Sequence, residues 1–207
     1  LIKAVGRVAE DHPDVKLWFM GSAHPNPDVP KMQMASSSYN LAVELGLLGK
    51  NVFFNDGWID YTQRQNYLLE ADVGVSTHYE HLETRYSFRT RILDYIWCEL
   101  PMVATEGDTL SLLAKERGLG ITVPPEDVEA CADAIRRLRN DKELYQECVD
   151  NLAAIKPEMT WERAVEPIVE FCRSPRRAAD TSHKRHDYIA SNFTLADVVP
   201  ERSPYYY

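Results

Sequence analysis

The chain has 207 residues, 44% hydrophobic and 27% charged, with a formal net charge of −9. That length suits about one domain with one sizeable core, and the composition is that of an ordinary globular protein rather than a disordered, collagenous or disulfide-rich one. The acidic excess argues against broad nucleic-acid binding, which needs a basic face, so an anionic ligand must be met by a local cluster of cations.

From the front, helical and strand patterns alternate. Leu1–Asp11 reads as an amphipathic helix stopped at Pro13, Val15–Met20 as a strand ended by Gly21, and Lys31–Leu48 as a helix after a Pro-rich loop. The strand Asn51–Phe54, the helix Tyr61–Glu70, the strand Val73–Ser76, a helix over Ser87–Cys98 and the strand Met102–Ala104 follow. The helix Leu110–Arg117, the strand Ile121–Val123 and the helix Asp127–Arg139 complete the alternation. Short apolar strands separated by helices predict an α/β fold, a parallel sheet covered on both faces, which binds ligands beyond the carboxyl ends of its strands. After Arg139 only helices are expected, at about Lys142–Ala154 and Trp161–Cys172, before a tail with little periodicity.

Cys98, Cys131, Cys148 and Cys172 show no C-x-x-C spacing and fall mostly in half-buried helical patterns, which suits reduced thiols and a cytoplasmic location. No stretch reaches the roughly 18 apolar residues of a membrane span, which leaves peripheral contact with the inner face of a membrane open. The chain begins without Met and already in helical periodicity, and is expected to be the C-terminal part of a longer protein.

The charge pattern concentrates in LETRYSFRTRILDY, Leu82–Tyr95. Thr84 and Ser87 are candidate N-caps for the helix that follows, whose expected core face is Phe88, Ile92, Leu93, Ile96 and Trp97; Ser87, Arg91, Asp94 and Cys98 form a separate stripe. A helix start favours an anion, and the guanidinium forks of Arg85 and Arg89 suit a diphosphate better than one carboxylate. The bland reading is that these arginines are solvated, or pair with Glu80, Glu83 and Asp94. A carboxylate such as Asp94 beside a phosphate site needs neutral donors, and a ribose diol supplies them; an Arg91–Asp94 pair on one helix is the competing reading.

At these residues the sequence resembles a known family. The run DVGVSTHYEHLETRYSFRTRILDYIWCELPMVATEGDTLSLLAKERGLGITVPPEDVEACADAIRRL resembles the donor-binding half of retaining GT-B glycosyltransferases of family 4, the glycosyl transferases group 1. The likeness spans roughly Leu1–Leu138 and is best at Leu93–Thr105 with the GLGITVPPED turn. It implies a Rossmann-like nucleotide-sugar-binding domain over 1–140, C-terminal helices packing on it over 141–173, an irregular tail over 174–207, and an N-terminal acceptor domain that this chain lacks.

Residue by residue, the family's Glu-x7-Glu motif falls on Tyr86 and Asp94. Asp94 stands for the Glu that takes the ribose diol. Tyr86 replaces the Glu that contacts the transferred sugar, a contact for which Glu83, three residues upstream, is the substitute candidate. The backbone N–H groups of Ser87, Phe88 and Arg89 are the implied phosphate donors. NVFFNDGW, Asn51–Trp58, resembles the strand and loop that read the nucleobase, so Phe54, Gly57 and Trp58 are expected to line the base pocket. His78 ends a loop near the implied place of the transferred sugar and joins Glu83 as a catalytic candidate. The family's basic pair near the first strand of this half has no counterpart, because that strand is absent here.

Dinucleotide dehydrogenases share the architecture, but no G-x-G-x-x-G run exists in this chain. No two aspartates are two apart, so no required metal or other cofactor is expected; the donor substrate is a nucleotide diphosphate sugar, and the acceptor a glycan, lipid or other molecule held by the missing domain. His183 and His186 have metal-like spacing without further partners. A sugar-nucleotide epimerase of the same fold and a non-catalytic interaction domain are the alternatives. The fragment alone is expected to be inert, with acceptor identity and base unread.

Overall fold

The computed structural model describes residues 1–21, 26, 28–30, 32–55 and 57–177. The tail beyond 177, with His183 and His186, and Lys31, the expected start of the second helix, lie outside the described residues. In chain order the elements are α1 (Ile2–Asp11), β1 (Leu17–Phe19), α2 (Gln33–Glu44), β2 (Val52–Phe54), a 3-10 turn (Tyr61–Gln63) running into α3 (Arg64–Leu69), and β3 (Gly74–Ser76). There follow α4 (Leu82–Tyr86), α5 (Arg91–Trp97), β4 (Met102–Thr105), α6 (Thr109–Glu116), β5 (Gly120–Val123), α7 (Val128–Asn140) and α8 (Lys142–Ile155). Leu1–Thr160 form one compact unit; α9 (Trp161–Arg173) belongs to a second. Within α9, Trp161, Val165, Ile168 and Cys172 recur on one face and Arg163 pairs with Glu166 at 2.9 Å.

Every strand pairing is parallel, and β4 lies between β3 and β5 with all four of its residues buried. Successive side chains of a strand point to opposite faces, and β4 divides accordingly. Val103 joins Val5 and Val8 of α1 and Ile135 and Leu138 of α7 in one cluster. Met102 and Ala104 join Ile92 and Ile96 of α5, Leu110 of α6 and Leu152 of α8 in another. Each such buried aliphatic side chain is worth about 1.5–3 kcal/mol, so helices on both faces are the condition for a strand as apolar as β4. Asp127 and Asp141 cap α7 and α8 by accepting from Ala130 N and Leu144 N, each at 2.9 Å.

The expected single sheet is divided: β1 pairs only with β2, and β3-β4-β5 form a second ladder. Parallel pairing turns the N–H and C=O of Gly74 and Ser76 toward β4 and those of Val75 away. The Val75 carbonyl is satisfied instead by the Tyr95 hydroxyl, which donates to it at 2.8 Å. Glycine at 74 permits this, because a Cβ there would stand 2.8 Å from the Tyr95 ring.

The helix expected over Ser87–Cys98 is two helices with a break. Ser87 is extended, at φ −79 and ψ 149, and its N–H and Oγ both donate to Thr84 O, at 3.2 and 3.1 Å. Such local bonds compete with helix continuation, and α5 starts only at Arg91. Its buried residues are Ile92, Tyr95 and Ile96, while Phe88 and Trp97, expected in the core, are 55% and 60% exposed. At its far end Leu100 N donates to Tyr95 O and Glu99 N to Ile96 O, a Schellman stop in which Glu99 takes φ 53. The Glu99 carboxylate pairs with Lys156 at 2.7 Å.

Gly74→Ala is expected to cost about 1–3 kcal/mol through overpacking, read from urea midpoints. Tyr95 adds a pH dependence. Burial pushes its hydroxyl up to about 12, so the folded state prefers the neutral phenol. That contribution is complete below the ordinary tyrosine value of about 10 and is lost as pH rises toward 12. Melting temperatures across this window should fall more steeply for the natural chain than for Tyr95→Phe.

Candidate functional site

The carboxyl ends of β3 and β4 carry a buried polar cluster. His78, two residues beyond β3, has its N–H on Thr105 Oγ1 at 3.3 Å. Its ring Nε2 lies 3.2 Å from Asp108 Oδ2 and its Nδ1 lies 3.4 Å from Tyr79 O. The side chains of His78 and Asp108 are only 9% and 1% exposed. Asp108 is also the N-cap of α6: its Oδ1 accepts from Leu110 N at 2.9 Å and Ser111 N at 3.1 Å, and Ser111 Oγ accepts from Asp108 N in return. Thr84, buried on α4, donates to Tyr79 O at 2.8 Å. The loop after β3 is thereby tied to both α4 and the start of α6.

The arginines divide into held and free. Arg89 Nη2 donates to Glu83 Oε2 at 2.9 Å and lies 3.4 Å from Thr84 Oγ1, while its Nε is buried without a partner. Glu83 also lies 3.6 Å from His81 Nε2, so this candidate sugar contact directs its carboxylate at the Arg89 guanidinium and the His81 ring. Arg85 and Arg91 are exposed and form no ion pair among the described residues. Of the implied phosphate donors, the Ser87 N–H is taken by Thr84 O.

Asp94 pairs with neither Arg91 nor Arg89 but with Arg64, whose Nη2 is 3.0 Å from Asp94 Oδ1. Burial pushes the Asp94 carboxyl up, and the positive charges of Arg64 and then Arg91 oppose the shift. Arg64 in turn lies over the ring of Tyr61, 4.0 Å from its centroid. In the base-pocket candidate, Phe54 stacks on Phe19 at 4.7 Å and meets Tyr39 at 5.5 Å, which commits its ring to packing. Gly57 is exposed, as are Trp58 at 57% and Tyr61 at 69%. Tyr86 and Phe88 add two more exposed aromatic rings. Charged forks and exposed rings together can hold an anion joined to a flat or sugar-like body.

Arg64, Tyr61 and Asp108 are not marked as site residues by the sequence, and Thr84 reads there only as a helix cap. The spacing of Asp108 and Ser111 before an apolar run is a capping-box signal and could have marked Asp108; the partners of the others are set by tertiary contact. Among the described residues no group of three or more His, Cys, Asp or Glu is placed to hold a metal ion, and no helix is long and apolar enough to cross a membrane.

The family model described as glycosyl transferases group 1 matches residues 1–141. The chain belongs to this family. Solved structures agree on the fold of this glycosyl transferases group 1 chain. Sucrose-phosphate synthase from Thermosynechococcus elongatus matches with a TM-score of 0.64 at 23% identity, over 83% of this chain and 41% of its own. HepE of Anabaena in complex with UDP-glucose matches with a TM-score of 0.66 at 18% identity, over 84% of this chain and 44% of its own. The C-terminal domain of the Francisella tularensis group 1 glycosyl transferase LpcC gives 0.61 at 19% identity, over 77% and 78%. The chain therefore spans less than half of the first and second proteins and most of the third, itself a C-terminal domain, and its fold is the Rossmann-like C-terminal half of a GT-B glycosyltransferase. No curated protein matches it.

Asp108→Ala in this glycosyltransferase domain removes an N-cap, worth about 1 kcal/mol, and leaves buried donors unmatched at about 1–3 kcal/mol more. Asp108→Asn keeps a capping acceptor and is expected to cost less than half as much in urea denaturation. Equal losses would show that the charge beside His78, rather than the cap, holds the α6 start.

Proposed function

We propose that this glycosyltransferase domain binds a nucleotide diphosphate sugar and that the protein containing it transfers the sugar to an acceptor with retention, as in family 4. The observation that carries the reading is the pair Arg85 and Arg91: two exposed guanidinium groups without ion-pair partners among the described residues, in an acidic chain, in the last turn of α4 and at the start of α5. Two such groups close to one site favour a group with two negative charges. The HepE structure, which holds UDP-glucose, supports the choice of ligand class.

In this reading Arg85 and Arg91 meet the leaving diphosphate, and the Phe88 N–H with Arg89, braced by Glu83, completes the anion site. Stabilising the charge that develops on the leaving group is the largest lever such a site has, and the arginines take the place of a divalent ion. Asp94 receives the ribose hydroxyls. Trp58 and Gly57 border the base. The acceptor and the rest of the cleft belong to an N-terminal domain, so this chain by itself binds donor weakly and transfers nothing.

Calorimetry with UDP and uridine tests the site. Arg85→Ala and Arg91→Ala are each expected to weaken UDP by about 1.5–3 kcal/mol, the range for hydrogen bonds to charged groups, and to leave uridine unchanged. Uridine losing as much affinity as UDP would show that the two arginines act on the fold and not on phosphate.

A further inference from the structure

Arg64 stands at the first position of α3, far from Asp94 in sequence, yet the two form an ion pair at 3.0 Å with side chains 28% and 18% exposed. The arginine is itself supported. Asp60 caps the preceding turn, accepting from Thr62 N at 2.8 Å and Thr62 Oγ1 at 2.6 Å, and this fixes the backbone that carries Tyr61. The Arg64 guanidinium carbon lies over the Tyr61 ring, 4.0 Å from its centroid. A guanidinium held over an aromatic ring is restricted in where its N–H groups can reach, and here Nη2 stands 3.0 Å from Asp94 Oδ1. No other hydrogen bond or ion pair to the Asp94 carboxylate occurs among the described residues, so Oδ2 stays available.

We propose that Arg64, backed by Tyr61, is the positioning residue of the ribose contact: it fixes one oxygen of Asp94 and aims the other at the sugar hydroxyls. The inference rests on the reading that Asp94 receives the ribose. Its physical logic is orientation together with charge. A half-buried carboxylate that turns freely loses rotamer entropy when it takes a diol, whereas one already held by an arginine has lost it. An ionised carboxylate is also the stronger acceptor, and the adjacent positive charge favours that state. Lysine cannot substitute fully, because its ammonium is a point charge without a planar face to rest on Tyr61.

The test compares UDP with 2′-deoxy-UDP by calorimetry on the 207-residue chain. The two ligands differ by one hydroxyl, so their affinity ratio is insensitive to general loss of stability. The natural chain is expected to prefer UDP by about tenfold, equivalent to roughly 1.4 kcal/mol. Arg64→Gln should bring the ratio close to one and change 2′-deoxy-UDP affinity much less than UDP affinity. Arg64→Lys keeps the charge that the fold needs and should still lower the ratio at least threefold, and Tyr61→Leu should shift it in the same direction.

A natural chain that discriminates while Arg64→Lys and Tyr61→Leu keep the full ratio overturns the positioning role. If the natural chain does not bind UDP, does not discriminate, or keeps its ratio after Asp94→Asn, the ribose reading of Asp94 fails first and takes this inference with it.

Discussion

The site depends on one contact, the Tyr95 ring laid against Gly74 with its hydroxyl on the Val75 carbonyl. α5 is only seven residues long and cannot hold its place by helical propensity alone. Tyr95 fastens it to the turned-away edge of β3, and Ile92 and Ile96 fill the core on either side in sequence. Arg91 and Asp94 lie on the same two turns. Their distance from the strand ends is therefore set by how closely an aromatic ring can approach a residue that has no side chain.

Electrostatically, the acidic chain separates its cations by duty. Arg7, Arg136 and Arg139 tie α1 and the turn after it to α7 through Glu129, Asp11 and Asp14; such solvent-exposed pairs contribute little to stability. Near the strand ends, Arg89 and Arg64 are spent on Glu83 and Asp94. Arg85 and Arg91 have no such carboxylate among the described residues. A free cation next to braced carboxylates makes a steep local field, which a strongly acidic surface elsewhere sharpens by repelling the same ligand from other places.

How much of this was legible in the sequence depended on the range of the determining interactions. The helices α1, α7 and α8 follow from apolar spacing, and strands as apolar as β4 follow from their flanking turns; the structure has each within a few residues of its expected place. The break at Ser87 was missed because apolar periodicity runs through it, while the Thr84 and Ser87 side-chain bonds that stop the helix leave only a Thr and a Ser in the sequence. In the sequence those two residues read as helix starts rather than as a stop. For the site, the arginine-rich segment announced itself by composition. The Arg64–Asp94 and His78–Asp108 pairs did not, because each joins residues on separate elements that only the parallel crossovers bring together. The split of the sheet was likewise hidden, since strand patterns show which residues extend and not which edges meet.

The turn at Glu99 has a dynamic consequence. A left-handed residue that is not glycine carries a conformational cost of about 1–2 kcal/mol, and here the stop is locked by two backbone hydrogen bonds and the Lys156 pair. The chain passes from α5 into β4 through only the turn residues Cys98 and Glu99 and the buried Leu100 and Pro101. Helix and strand thus share one core and have no slack between them. In amide hydrogen exchange they are expected to behave as a single cooperative unit: protons of α5 should be released by the same opening that frees the central strand, rather than by fraying of a short surface helix. The segment bearing Asp94 accordingly inherits its rigidity from the middle of the sheet.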